Sequence, residues 1–190
     1  MKTTIVFVAV RFTAAAASLG IEGMAAYACP WDPAAPAAPA TLELARLLHV
    51  ERAPEEQIVR HLSELCWAHP YDRQRYTSQD TGRTVDLRRA RLAGHRLAAL
   101  TARLQSYSVG RYPIQVNVNP LEVLDTYSLC LWLHPGSDAP DDPGLSIWYQ
   151  HVMGEPLANE RSATVLDDLQ ATMRMAAWLC QGWTADGGTR

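Results

Sequence analysis

The chain has 190 residues, 48% of them hydrophobic and 19% charged, with a net charge of −3. That length suits one domain burying roughly two thirds of the surface its unfolded form would expose, so no metal or disulfide is needed to hold it. The composition excludes wholesale disorder and gives no global attraction to nucleic acid or anionic membranes, so any basic patch is local.

Lys2 is the sole lysine against sixteen arginines. A genome rich in Ala and Arg codons accounts for this, with selection of Arg for anion contacts as the competing explanation.

Residues 3–12 are apolar on both faces (Ile5, Phe7, Ala9 against Val6, Val8, Val10), the pattern of a buried central strand. Lys2, this apolar run and Ala26-Tyr27-Ala28 before Cys29 resemble a secretory signal, but Arg11 and Glu22 interrupt the stretch where a signal's core would lie. The chain is therefore read as cytoplasmic. No run approaches the ~18 uncharged apolar residues of a membrane span.

Thr13 is placed to cap a helix over 14–27, weakened by Gly20 and Gly23. The Pro/Ala-rich stretch 29–40 then reads as a stiff connector within a single domain spanning 1–190. Thr41 opens a short helix to about Val50 carrying Leu44, Leu47 and Leu48, and Pro54 opens another with Ile58, Leu62 and Leu65 on its buried stripe. The polar stretch 71–83 reads as a long loop. A helix over 85–106 follows, with Ala90, Ala93, Leu97, Leu100 and Leu104 inward. Arg89, Arg96 and Arg103 recur every seven residues along its flank, with Arg88 and His95 nearby.

Three segments then show the two-residue period of strands. In 113–119, Ile114, Val116 and Val118 alternate with Gln115, Asn117 and Asn119. In 126–134, Leu129, Leu131 and Leu133 oppose Cys130, Trp132 and His134. In 145–153, Leu145, Ile147 and Tyr149 oppose Ser146, Trp148 and Gln150. A last helix over 159–181 buries Val165, Leu169, Met173, Ala176 and Cys180, with Asn159 or Ser162 as cap, Gly182 as stop and a flexible tail at 184–190. The expected fold is α+β: an antiparallel sheet of three to four strands (about 3–12, 113–119, 126–134 and 145–153) packed by four to five helices.

Four candidate sites follow. Cys66-x-x-His69 and Cys130-x-x-x-His134 offer a zinc-like ligand set, but in a strand Cys130 and His134 would lie ~13 Å apart, too far for one ion. They would converge only if 126–134 were helical. No metal or cofactor is assigned. Cys29, Cys66, Cys130 and Cys180 match no disulfide spacing and read as reduced. A Cys–His dyad of Cys130 with His151 fails because the two would fall on opposite faces, and no common catalytic motif occurs, so no catalytic residue is assigned.

The third candidate is the mixed sheet face, where Asn117, Trp132, His134, Trp148 and Gln150 suit a partner or ligand surface unless a helix covers them as core. The fourth is the arginine flank, with Arg88, Arg89, Arg96 and Arg103 as anion contacts unless they are a solvated face paired with residues such as Asp167 and Asp168. The leading expectation is a non-enzymatic protein that binds a macromolecular partner or itself. The alternatives are a small-molecule binder or enzyme with a pocket on the Cys130/Trp132/His134 face, and a nucleic-acid binder using the arginine flank.

Overall fold

Strand β1 (Thr3–Phe12) lies at the centre of a five-stranded sheet. The computed structural model describes residues 3–12, 21–32, 45–54, 57, 75–77, 82, 84–86, 90–100, 108–109, 112–113, 123–136, 139–157 and 164–185. β1 pairs antiparallel with β2 (Ile21–Trp31), and β2 with the edge strand β3 (Ala45–Glu51). Strand β4 (Arg75–Thr77) forms a small separate hairpin with β5 (Thr84–Asp86), inside and just beyond the stretch expected to be loop. On its other side β1 pairs parallel with β6 (Arg91–Gly94). A second two-residue ladder joins β7 (Ser108–Val109) to β8 (Tyr112–Pro113). The sheet closes with β9 (Val123–Asp125), parallel to β6, giving the order β3-β2-β1-β6-β9.

The fold is α+β as expected, but the sheet is mixed, and of the four expected strands only 3–12 is among the described residues of that sheet. Residues 126–134 and 145–153 are helical instead: α1 (Thr126–Leu133) and α2 (Leu145–Met153). Of 113–119, only Pro113 is described, in β8.

The reason lies at the ends of these segments. Asp125 accepts a hydrogen bond from the Tyr127 amide and so opens α1, while Gly154, at φ 71°, closes α2 with its amide on the Gln150 carbonyl. Trp148, Tyr149 and Val152 are the residues α2 buries, a helical spacing that the leucine and isoleucine alternation masked.

The helices expected over 14–27 and 41–50 are corrected to β2 and β3 in their described parts. Alanine favours helix in isolation, yet β2 buries Met24, Ala26 and Ala28 on one face and Ala25 and Cys29 on the other. Small side chains apolar on both faces fit between two strands, and packing there overrides propensity. The helix expected over 85–106 is interrupted by β5 and β6, and helical structure starts only at 97. The stretch 29–40 is partly strand, since Cys29 to Trp31 belong to β2; residues 33–40 lie outside the described residues, as does most of the helix expected after Pro54.

Helix α3 (Val165–Ala185) starts later than expected and runs through Gly182 to residue 185. Thr164, rather than Asn159 or Ser162, caps it. Its hydroxyl donates to Asp167 Oδ2 at 2.8 Å and accepts from the Asp167 amide at 3.3 Å, a reciprocal box at the helix start. Glu51 Oε1, at the end of β3, takes the Val165 amide at 2.8 Å. The expected inward stripe is correct: Val165, Leu169, Met173, Ala176 and Cys180 pack with Ile5, Phe7, Ala9, Cys29 and Trp31 in one core. Phe7 and Trp31 meet edge to face at 5.3 Å. A second core joins Cys130, Trp148, Tyr149 and Val152 to Ala171, Met175 and Leu179 of α3.

Candidate ligand cleft and the helical face

β1 is flanked by the antiparallel strand β2 on one side and the parallel strand β6 on the other, so the carboxyl ends of β1 and β6 lie side by side. A cleft of about 610 Å³ lies there, its walls including Arg11, His95, Arg96, Ser146, Leu157 and Asp168.

Each wall is fixed by a local cause. Gly94 ends β6 where a Cβ would stand 2.7 Å from Leu97 Cδ2 and 2.8 Å from the Val8 carbonyl oxygen, so only glycine lets the chain turn into the helical segment at 97 against β1. Asp125 Oδ1 accepts from the Arg96 amide at 2.8 Å and the Tyr127 amide at 3.0 Å, and Oδ2 from the Ala98 amide at 3.5 Å. One carboxylate therefore serves the starts of two helical segments. On the far wall Arg11 makes a two-pronged contact with Asp168, Nε to Oδ2 at 2.9 Å and Nη2 to Oδ1 at 2.8 Å. These bonds push the Arg11 pKa higher still.

His95 is clamped at both ring nitrogens. Nδ1 lies 3.0 Å from Thr126 Oγ1 and Nε2 3.0 Å from the Pro143 carbonyl. The carbonyl can only accept, so Nε2 carries a proton and donates to it, while Nδ1 and the Gly94 carbonyl, the latter 3.3 Å from Thr126 Oγ1, share the single Thr126 hydroxyl proton. Burial lowers the His95 pKa. A hydroxyl beside an imidazole resembles a nucleophile and its base, but Thr126 is fully buried and both histidine nitrogens are engaged. The group instead ties the loop before α2 to the ends of β6 and β9.

The sequence-derived site residues disperse. Cys130 and Trp148 are fully buried in the second core, Trp132 is 51% exposed, and Gln150 points to solvent on α2. His134 caps α1, its ring 5.3 Å from that of His151 and stacked 6.3 Å from Trp178. Asn117, Arg88, Arg89 and Arg103 lie outside the described residues, as do Cys66 and His69. Arg96 alone of the described candidates reaches the cleft, from a strand end rather than a helix flank. Asp168, named as a partner for that flank, pairs with Arg11.

The helical form of 126–134 does put Cys130 and His134 one turn apart, the His134 amide bonding the Cys130 carbonyl at 2.8 Å. Cys130 is fully buried in the second core, and burial pushes its thiol up to about 12. Among the described residues no group of three His, Cys, Asp or Glu side chains is placed to hold a metal, and no helix is long and apolar enough to cross a membrane.

Sequence reasoning gave Arg11 and Asp125 no place in a site and named Asp168 only as a partner for the arginine flank. The readable signal was Leu-Ala-Gly-His-Arg-Leu at 92–97, an apolar strand end and a glycine followed by polar residues and a helical pattern. The chain matches no known protein-family model and no curated protein.

Proposed function

We propose that this protein binds a small molecule in the cleft beyond the carboxyl ends of β1 and β6. The observation that carries the reading is the cleft itself: about 610 Å³ beyond the adjacent carboxyl ends of two parallel strands, within the range of volumes typical of ligand sites. Its walls combine guanidinium, hydroxyl and leucine side chains, the mixture that orients a ligand and excludes water around it. Binding is favoured over turnover because the Thr126 hydroxyl is buried and both His95 nitrogens are engaged. Native mass spectrometry of protein isolated from its source tests this. The expected result is an excess mass of a few hundred daltons that is released on denaturation and is absent from the cleft-filling variant Ser146→Trp. No excess over the sequence mass in either protein, or the same excess in both, would refute the reading.

A second reading keeps the macromolecular partner. Leu131, Trp132, Ile147 and Trp178, between 39% and 51% exposed, are the large hydrophobics most open to solvent among the described residues, and all belong to α1, α2 and α3. Aromatic side chains at such exposure are typical of binding surfaces. Loss of a co-isolated protein on Trp132→Ser and Trp178→Ser substitution, with the fold intact, supports it. Retention of the same partners by both variants counts against it. Of the arginine flank on which the nucleic-acid reading rests, only Arg96 is among the described residues.

A further inference from the structure

Arg96 has a backbone φ of 57°, a left-handed conformation that a side chain with a Cβ adopts only at an energetic cost and that glycine adopts freely. Strained positions kept in place by their surroundings cluster at sites of function. Here the surroundings are evident: the Arg96 amide is held by Asp125, and its carbonyl accepts from the Leu100 amide at 3.0 Å. Arg52 has nearly the same φ, 53°, but sits in a turn, its amide bonded to the Glu22 carbonyl, and does not line the cleft.

The charge of the cleft depends on Arg96. Two arginines and one aspartate line it, and Arg11 has both oxygens of that aspartate, Asp168. Opposite, α2 begins within the lining at Gly144, whose amide donates to Asp142 Oδ1 at 2.7 Å, so that helix start already has its carboxylate and Arg96 is left as the cleft's anion contact. Leu100, Leu145 and Leu157 supply the apolar remainder of the wall.

We infer that the cleft takes a small organic anion, its carboxylate or phosphate group contacted by Arg96 and its apolar body lying against the leucines. This rests on the cleft reading above and names its ligand class. The arginine guanidinium suits either oxyanion, because its donors match two oxygens at once.

The test uses the full chain with hexanoate, hexyl phosphate, inorganic phosphate, hexanol and hexylamine as probes, read by calorimetry and thermal shift. Hexanoate or hexyl phosphate is expected to bind, with inorganic phosphate weaker and hexylamine silent. The preferred anion separates a carboxylate ligand from a phosphate ester. Arg96→Gly should raise the unliganded melting temperature by relieving strain, yet weaken binding of the preferred anion at least tenfold. Arg52→Gly should raise it likewise and leave binding unchanged. Binding of the anion within twofold of wild type in Arg96→Gly would overturn the inference. Hexanol binding that Leu157→Trp blocks, with no preference for the anions, would overturn the ligand class and leave the cleft reading standing. No binding by any probe would overturn both.

Discussion

Arg11, near the end of β1, and Asp168, in the first turn of α3, face each other through two hydrogen bonds of 2.9 and 2.8 Å across 157 residues of chain. The contact fastens the central strand to α3 in the wall of the cleft. Its side chains are 25% and 16% exposed, so water screens the pair only in part. Removing one partner leaves the other charge poorly solvated. Arg11→Met and Asp168→Asn are each expected to lower stability by roughly 1–3 kcal/mol. The double variant should lose clearly less than the sum, by about 1 kcal/mol or more. Urea denaturation of the four proteins measures the coupling, and strictly additive losses would mean the pair contributes nothing as a pair.

Acidification should weaken the fold through His95. Its pKa is lowered by burial, against smaller upward pulls from the Pro143 carbonyl and Asp125 and a downward push from Arg96. In the unfolded chain the ring takes up a proton near its ordinary 6.5, while the folded ring resists. The folded state is therefore fully favoured above pH 6.5, and the advantage is lost as pH falls through the depressed folded value. His134, lowered by burial and then by His151, acts in the same direction. Asp167 is lowered from an ordinary 3.8, so its contribution disappears only at more acidic pH. The urea midpoint is expected to drop between pH 7.5 and 5.5, and His95→Gln to be less stable at pH 7.5 but to show a shallower drop. An unchanged slope in that variant would rule out His95 as the cause.

How much of this was legible in the residues depends on where the determining contact lies. β1 was read correctly because both its faces are apolar within one local window. The α3 stripe was read correctly because Val165, Leu169, Met173, Ala176 and Cys180 repeat at the period of a helix. The failures share a different cause. β2 is rich in alanine, and only burial between β1 and β3 makes it a strand. α1 and α2 are short apolar runs in which alternation and helical spacing coincide, so the deciding signals were Asp125 as a cap and Gly154 as a stop. The cleft was invisible because Arg11, Arg96 and Asp168 are brought together only by the parallel pairing of β1 with β6 and the return of α3.

Gly94→Ala is expected to reduce stability by roughly 1–3 kcal/mol, the range for forcing extra volume into a packed site. The added methyl would meet the Leu97 side chain at 2.7 Å and the backbone oxygen of Val8 at 2.8 Å. Leu97 can rotate away, but Val8 is paired with Gly94 in the parallel ladder and cannot retreat without opening it. Adding Leu97→Ala should therefore fail to restore wild-type stability. Full recovery in the double variant, by chemical denaturation, would place the whole clash on the side chain rather than on the strand.

Trp132 and Trp148 make opposite predictions, although a strand alternation would have put them on one surface. Trp148 is fully buried, its ring 5.6 Å from Tyr127 and 5.6 Å from His151. Truncating it removes a large apolar surface and leaves a cavity between α1, α2 and α3, so Trp148→Ala should cost about 3–5 kcal/mol. Trp132 is 51% exposed on the outer side of α1. Trp132→Ser should change stability by less than about 1 kcal/mol, as surface substitutions do. Its fluorescence should also report the difference: an iodide quencher reaching Trp132 but not Trp148 would quench less in Trp132→Ser than in wild type. Equal quenching in both proteins, or a large loss of stability in Trp132→Ser, would mean that α1 presents a different face to solvent and that the exposed aromatic surface is not there.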